Sequence, residues 1–190
     1  MRKKHIVLFA SGSGSNVENI VRYFQADDQV GIACVLSNRK NAYVLDRCDK
    51  LNINALYFNK TAFYTSGLVL EILNSIKPDL IVLAGFLWKM PGNIIDSFPN
   101  KIINIHPALL PKYGGKGMYG MAVHRAVLEN RDTESGITVH YVNENYDDGA
   151  IIHQAKVAIL PHDTPETIAA KVHKLEYEYF PKIIDRLLRG

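Results

Sequence analysis

Ile6-Val7-Leu8-Phe9-Ala10-Ser11-Gly12-Ser13-Gly14-Ser15-Asn16-Val17 is the stretch from which the rest of the chain is read. Five apolar residues in succession suit a strand covered on both faces. The Ser/Gly run then breaks it, and Val17, Ile20, Val21 and Phe24 return at helical spacing. Strand, glycine loop and helix make an opening βα unit. Working outward, residues 30–36 read as a second buried strand, 43–51 as a helix, 55–58 as a short strand and 68–77 as an amphipathic helix. Residues 80–84 and 101–105 add two short apolar strands on either side of a helix start at Pro91-Gly92. This alternation predicts an α/β fold: a Rossmann-like, doubly wound, mostly parallel sheet with helices on both faces.

The second half changes character. Residues 123–129 read as a short helix, 137–142 as an alternating strand and 151–160 as extended chain after Asp147-Asp148-Gly149. Thr164 and Pro165 suit a helix cap and first position, and the apolar stripe continues through Leu175 and Tyr179 to Pro181, where the helix is expected to end, kink or restart. The irregular segment 107–121 holds four glycines, and long Gly-rich loops in compact domains are usually functional.

The 190 residues fit a single domain spanning 1–190, with 47% hydrophobic and 22% charged residues excluding a disordered or repetitive chain. A net charge of +3 with no basic run gives no reason to expect nucleic acid as a partner. Cys34 and Cys48 lack a paired spacing, and no signal peptide is recognised, so a reducing, cytoplasmic setting is expected. The longest apolar run, 80–87, is far short of the roughly 20 residues of a membrane span.

In an open parallel sheet, ligands bind beyond the carboxyl ends of the strands. Gly12 to Asn16 stand there and can offer backbone N–H groups to an anion, although the loop lacks the Lys of a Walker motif and the third glycine of a dinucleotide fingerprint. A tight turn is the plainer alternative. Asn104 and His106 alternate onto one side of a strand, placing an amide donor beside a titratable base, which is equipment for acyl transfer. A His there can equally be a strand end satisfied by the backbone. Asp147 can be a turn residue or, with Asp148, one of two adjacent acids for a metal, but with no His or Cys at ligand spacing no metal is expected.

Asn104-Ile105-His106-Pro107-Ala108-Leu109-Leu110-Pro111 resembles the signature of the formyltransferase family that uses 10-formyltetrahydrofolate. Gly136, Thr138, Val139, Tyr141, Val142, Glu144, Tyr146, Asp147, Gly149 and Ile152 match the family's second pattern, and the likeness runs from Ile6 to about Pro181. Residues 11–16 resemble the members that formylate glycinamide ribonucleotide in purine biosynthesis. The resemblance implies the formyltransferase fold and a catalytic trio: Asn104 donates to the formyl oxygen, protonated His106 adds to that stabilisation or shuttles the proton, and Asp147 raises the His106 pKa and orders a water. It places the substrate phosphate on Gly14, Ser15 and Asn16, with His173 and Glu176 reaching the ribonucleotide from the last helix. Folate is implied at Leu87, Trp88, Lys89 and Met90, at Asn104, and at Asn143, Glu144, Asn145, Tyr146 and Asp147. The loop 113–123 is longer than the family's compact form, and Lys60 is the candidate for a basic residue near the folate tail.

The implied partners are small molecules, glycinamide ribonucleotide and formyl folate, without nucleic acid or membrane, for a monomer or homodimer. Hydrolysis of the same folate is the enzymatic rival, and it is disfavoured by the strand starting at Ile6, which leaves no room for an N-terminal regulatory domain. Formylation of initiator tRNA is disfavoured by the absence of an RNA-binding domain after Gly190. An NADP-binding protein, with a 2′-phosphate on Ser37-Asn38-Arg39, is the rival of another class, as is a non-catalytic nucleotide or folate binder.

Overall fold

A computed structural model describes residues 2–190. The chain runs β1 (Lys4–Ala10), α1 (Ser15–Phe24), β2 (Val30–Ser37), α2 (Tyr43–Lys50), β3 (Ala55–Tyr57), a π-helical turn (Thr61–Thr65) and α3 (Leu68–Ile76). It continues through β4 (Leu80–Leu83), α4 (Gly92–Ser97), β5 (Ile102–His106), α5 (Met121–Glu129), β6 (Glu134–Tyr141), β7 (Ile151–Ala158) and α6 (Pro165–Arg189). Seven strands form one sheet in the order β3-β2-β1-β4-β5-β6-β7. The first five are parallel, while β6 and β7 pair antiparallel. The α/β, mostly parallel, doubly wound architecture expected from the β–α alternation is the one observed.

β1 lies at the centre, hydrogen-bonded to β2 on one side and β4 on the other. Its side chains alternate between two cores: Ile6, Leu8 and Ala10 pack with α1 and α6, whereas Val7 and Phe9 pack with α3 and α4. That division explains why the strand is apolar throughout. The second core is aromatic. Phe9 meets Phe58, Phe63 and Phe86 with ring centroids 5.2–6.2 Å apart, and the π-helical turn, which the sequence reading left undescribed, brings in Phe63. Strand order reverses between β1 and β4, and a crevice opens there. Ser11 N–H donates to the Gly85 carbonyl at 3.1 Å and Ser11 Oγ accepts from Leu87 N–H at 2.9 Å, tying the two loops that flank the crevice.

Pro181 neither ends nor restarts the last helix, which stays continuous from Pro165 to Arg189. A proline at this position leaves the carbonyl four residues earlier, that of Tyr177, without its N–H. Asn19 of α1 fills the vacancy, its Nδ2 donating to the Tyr177 carbonyl at 2.9 Å. No helix among the described residues is long and apolar enough to cross a membrane.

Phe9→Ala should lower stability by about 3–5 kcal/mol, because it removes a fully buried ring on which three others rest. Urea denaturation of the two proteins at neutral pH measures the difference.

Candidate active site

The crevice is a cavity of about 750 Å³, bounded by residues 11–16 after β1, 84–87 after β4, 104–107 at the end of β5, the Gly-rich segment 115–121, Tyr146-Asp147 and one face of α6. That volume suits small-molecule substrates. On one wall α1 begins at Ser15 after Gly14, which sits at φ 73° and has no side-chain cap. A Cβ at Gly14 would lie 2.4 Å from Val44 Cγ2, so both the turn and the closeness of α2 require glycine. The first N–H groups of the helix have no intrahelical acceptors and suit an anion. Beside them, Asn16 Nδ2 donates to Glu176 Oε2 at 2.9 Å, and His173 Nδ1 lies 2.8 Å from the same oxygen. Asn16 Oδ1 is buried without a partner, ready to accept from a hydroxyl or an amine.

On the opposite wall, β5 presents Asn104 and His106. Antiparallel pairing sets His140 of β6 directly across from Asn104. His140 Nδ1 lies 2.8 Å from the Tyr141 carbonyl, which can only accept, so Nδ1 carries the proton and Nε2 is an acceptor. Asn104 Nδ2, 3.1 Å away, therefore donates to it. This contact fixes the orientation of the amide and leaves its second N–H directed at Asp147 Oδ1 at 3.4 Å, a long contact that a substrate oxygen can share. His106 is fixed by the same logic: Nε2 lies 2.7 Å from the Tyr113 carbonyl and must donate, so Nδ1, 3.5 Å from Asp147 Oδ2, is the proton-accepting atom.

Asp147 reaches the two residues from the loop between β6 and β7. It adopts φ 53°, and Gly115 N–H donates to its Oδ2 at 2.9 Å. Gly149 makes the turn possible: a Cβ there would stand 1.7 Å from the Tyr141 carbonyl oxygen. Thr138 anchors the start of the Gly-rich segment, since its hydroxyl donates to the Ala108 carbonyl at 2.7 Å and accepts from Leu110 N–H at 3.0 Å.

Burial works against charge on the imidazole. Desolvation holds His106 below its ordinary value of 6.5, outweighing the upward pull of the Asp147 carboxylate and the Tyr113 carbonyl. The expectation that Asp147 raises the His106 pKa is thus correct for its own contribution and reversed for the sum. Burial also pushes Asp147 up, but the neighbouring His140 and His106 rings, at 3.7 and 3.5 Å, and the Gly115 N–H together keep its carboxyl below the usual range. Both shifts favour a neutral imidazole beside an ionised carboxylate.

The structure brings Asn104, His106, Asp147, Gly14, Ser15, Asn16, His173, Glu176, Leu87 and Tyr146 to one cavity. Trp88, Lys89, Met90, Asn143, Glu144 and Asn145 lie outside its walls. Met90 is buried in the second core, while Trp88 packs on Phe58 and Phe63 with Lys60 Nζ 5.8 Å from its ring centroid. The sequence reading missed His140 and His124. His140 was legible in principle from the β5–β6 register. His124, whose buried Nδ1 has no partner, faces the cavity only because of how α5 is rotated. Arg39, one of the residues given to the 2′-phosphate of NADP in the rival reading, also lines the cavity. Among the described residues, no cluster of three or more His, Cys, Asp or Glu is arranged to hold a metal ion.

The formyl transferase family pattern matches residues 4–184. A chloroplastic phosphoribosylglycinamide formyltransferase of Arabidopsis thaliana is 36% identical over 189 residues, covering 96% of this chain and 65% of that protein. The phosphoribosylglycinamide formyltransferase of Haemophilus influenzae is 38% identical over 192 residues, covering 98% of this chain and 88% of that protein. Among solved structures, glycinamide ribonucleotide transformylase 1 of Symbiobacterium toebii superposes with a TM-score of 0.89 at 32% identity, covering 99% of this chain and 89% of that one.

His106 and His124 are both held below 6.5, largely by burial, so on acidification the unfolded chain takes up protons before the folded one. Stability should therefore fall as the pH drops below about 6.5 toward the depressed folded values. Urea midpoints followed down from neutral pH should show this slope, and the double variant His106→Asn/His124→Asn should flatten it.

Proposed function

The chain belongs to the formyl transferase family, and we propose that it transfers the formyl group of 10-formyltetrahydrofolate directly to the amine of 5-phosphoribosylglycinamide. The products are N-formyl-phosphoribosylglycinamide and tetrahydrofolate, a step of purine biosynthesis. One observation carries this reading: Asn104, His106 and Asp147 meet on one wall of a cavity whose other wall is the uncapped start of α1. The first wall suits the reacting formyl group and the second a phosphate.

In this reading the phosphate rests on the N–H groups of Gly14, Ser15 and Asn16. Asn16 Oδ1 together with Glu176 and His173 accepts from, and orients, the ribose and glycinamide groups. Leu87, Phe86 and Tyr146 offer apolar surface for the flat pterin. As the amine nitrogen bonds to the formyl carbon, the Asn104 N–H not held by His140 stabilises the charge growing on the formyl oxygen. His106 takes the amine proton on Nδ1, and the imidazolium so formed pairs with Asp147 Oδ2. The proton then leaves with the folate nitrogen as its bond to the formyl carbon breaks.

Supporting the transferase over the hydrolase is the second wall itself, since a water acceptor would have no use for a phosphate cradle. The same reading makes residues 1–190 a single cytoplasmic catalytic domain, acting on small molecules without nucleic acid, as a monomer or homodimer.

Tetrahydrofolate release should require the ribonucleotide, and Asn104→Ala and His106→Ala should each lower turnover roughly 100-fold. Spectrophotometric assay with and without 5-phosphoribosylglycinamide tests both. Equal turnover without the ribonucleotide would replace the proposal with hydrolysis, and none with it would leave a binding protein.

A further inference from the structure

Beyond the carbonyl that meets His106, Tyr113 joins the cavity to the outer surface through its side chain. Its main chain holds φ 57°, a region sparsely populated for a bulky residue. Its carbonyl accepts from His106 Nε2 at 2.7 Å, and its hydroxyl donates to Asp132 Oδ2 at 2.8 Å. Lys112 Nζ donates to the same carboxylate at 3.2 and 3.3 Å. Two residues further on, Gly115 N–H reaches Asp147. One short main-chain segment therefore touches both members of the His106–Asp147 pair. Asp132, which ties the segment down from outside the cavity, is itself fixed in the turn between α5 and β6, where its N–H donates to the Val127 carbonyl at 3.2 Å.

We propose that Tyr113 and Asp132 are positioning residues for His106. Their latch holds the Tyr113 carbonyl where it selects the Nε2–H form of the imidazole and leaves Nδ1 to accept the proton. The physical chain is short. A carbonyl cannot donate, so wherever it stays within reach of Nε2 the ring proton must sit on that nitrogen. A tyrosine in the left-handed region persists only when something outside its own backbone holds it there, and the Asp132 carboxylate supplies that hold. With the hydroxyl contact removed, residue 113 relaxes, its carbonyl swings away from Nε2, and the ring is free to place its proton on Nδ1, facing Asp147. That tautomer cannot accept a proton on Nδ1, the nitrogen beside Asp147. The other groups facing the ring, Asp147 from the β6–β7 loop, His140 from β6, His124 from α5 and Glu176 from α6, contribute charge but do not contact Nε2.

Turnover as a readout rests on the formyl-transfer reading, whereas the tautomer does not, so the two can fail separately. The experiment uses the full chain labelled with 15N-histidine, as wild type, Tyr113→Phe, Asp132→Asn and Asp132→Glu, with the His106 signals assigned by loss in His106→Gln. Long-range 1H–15N spectra should show His106 as the Nε2–H form in the wild type and as a mixture of tautomers in Tyr113→Phe and Asp132→Asn. In those two variants kcat should fall roughly tenfold or more with both KM values within about twofold, and Asp132→Glu should recover part of the loss. A merely structural role would move the unfolding temperature but leave the tautomer and the KM-to-kcat split alone. If Asp132→Asn does not fold, Tyr113→Phe, which removes a single oxygen, decides the matter. An Nδ1–H form in the wild type, or an unchanged Nε2–H form in Tyr113→Phe, overturns the proposal, whatever the turnover.

Discussion

His140 stands opposite Asn104 because β6 runs antiparallel to β5, and the hydrogen bond between them decides which end of the Asn104 amide faces the cavity. Five parallel strands alone would give a crevice with an uncapped helix start. The reversed strand adds a fixed hydrogen-bond donor. It also supplies Thr138, which ties down the start of the Gly-rich segment, and it leads into the loop that folds back to bring Asp147 within 3.5 Å of His106. An amide whose orientation is imposed by its neighbours costs no reorganisation when charge develops beside it, which is how such a donor comes to favour a transition state.

The fold was largely legible because its signals are local. β1 had to be covered on both faces, since Ile6 to Ala10 are apolar without a break, and the alternation of short apolar strands with amphipathic helices left few other arrangements. The turn at residues 61–65 was not legible, because a π-helical turn has no period that distinguishes it from a loop. Pro181 was misleading for a different reason: whether a proline breaks a helix depends on what else can satisfy the abandoned carbonyl, and that group came from α1.

The site divides in the same way. Asn104 and His106 sit two apart on one strand, so their shared side followed from alternation. Gly14, Ser15 and Asn16 followed from the strand–loop–helix order. Trp88 and Met90 were unresolved by sequence because an apolar residue beside a ligand and one in a core obey the same preference; Met90 lies in the core, and half-buried Trp88 packs against it. The sign of the shift on His106 was illegible as well. It is a contest between burial and a carboxylate at 3.5 Å, and neither the depth nor the distance is written in any single residue.

Asn19 and Pro181 lie 162 positions apart, yet they behave as one unit. Asn16 and Asn19 are a turn apart on α1, and they bond the adjacent residues Glu176 and Tyr177 on α6. The carbonyl that proline strands thus becomes a rung that stops α6 from sliding along α1. A missing hydrogen bond serves here as a register mark. In evolutionary terms the two positions share one constraint: a lineage that replaced Pro181 by a residue with an N–H would restore the helical bond to Tyr177, release Asn19 to vary, and loosen the alignment that sets Glu176 beside Asn16.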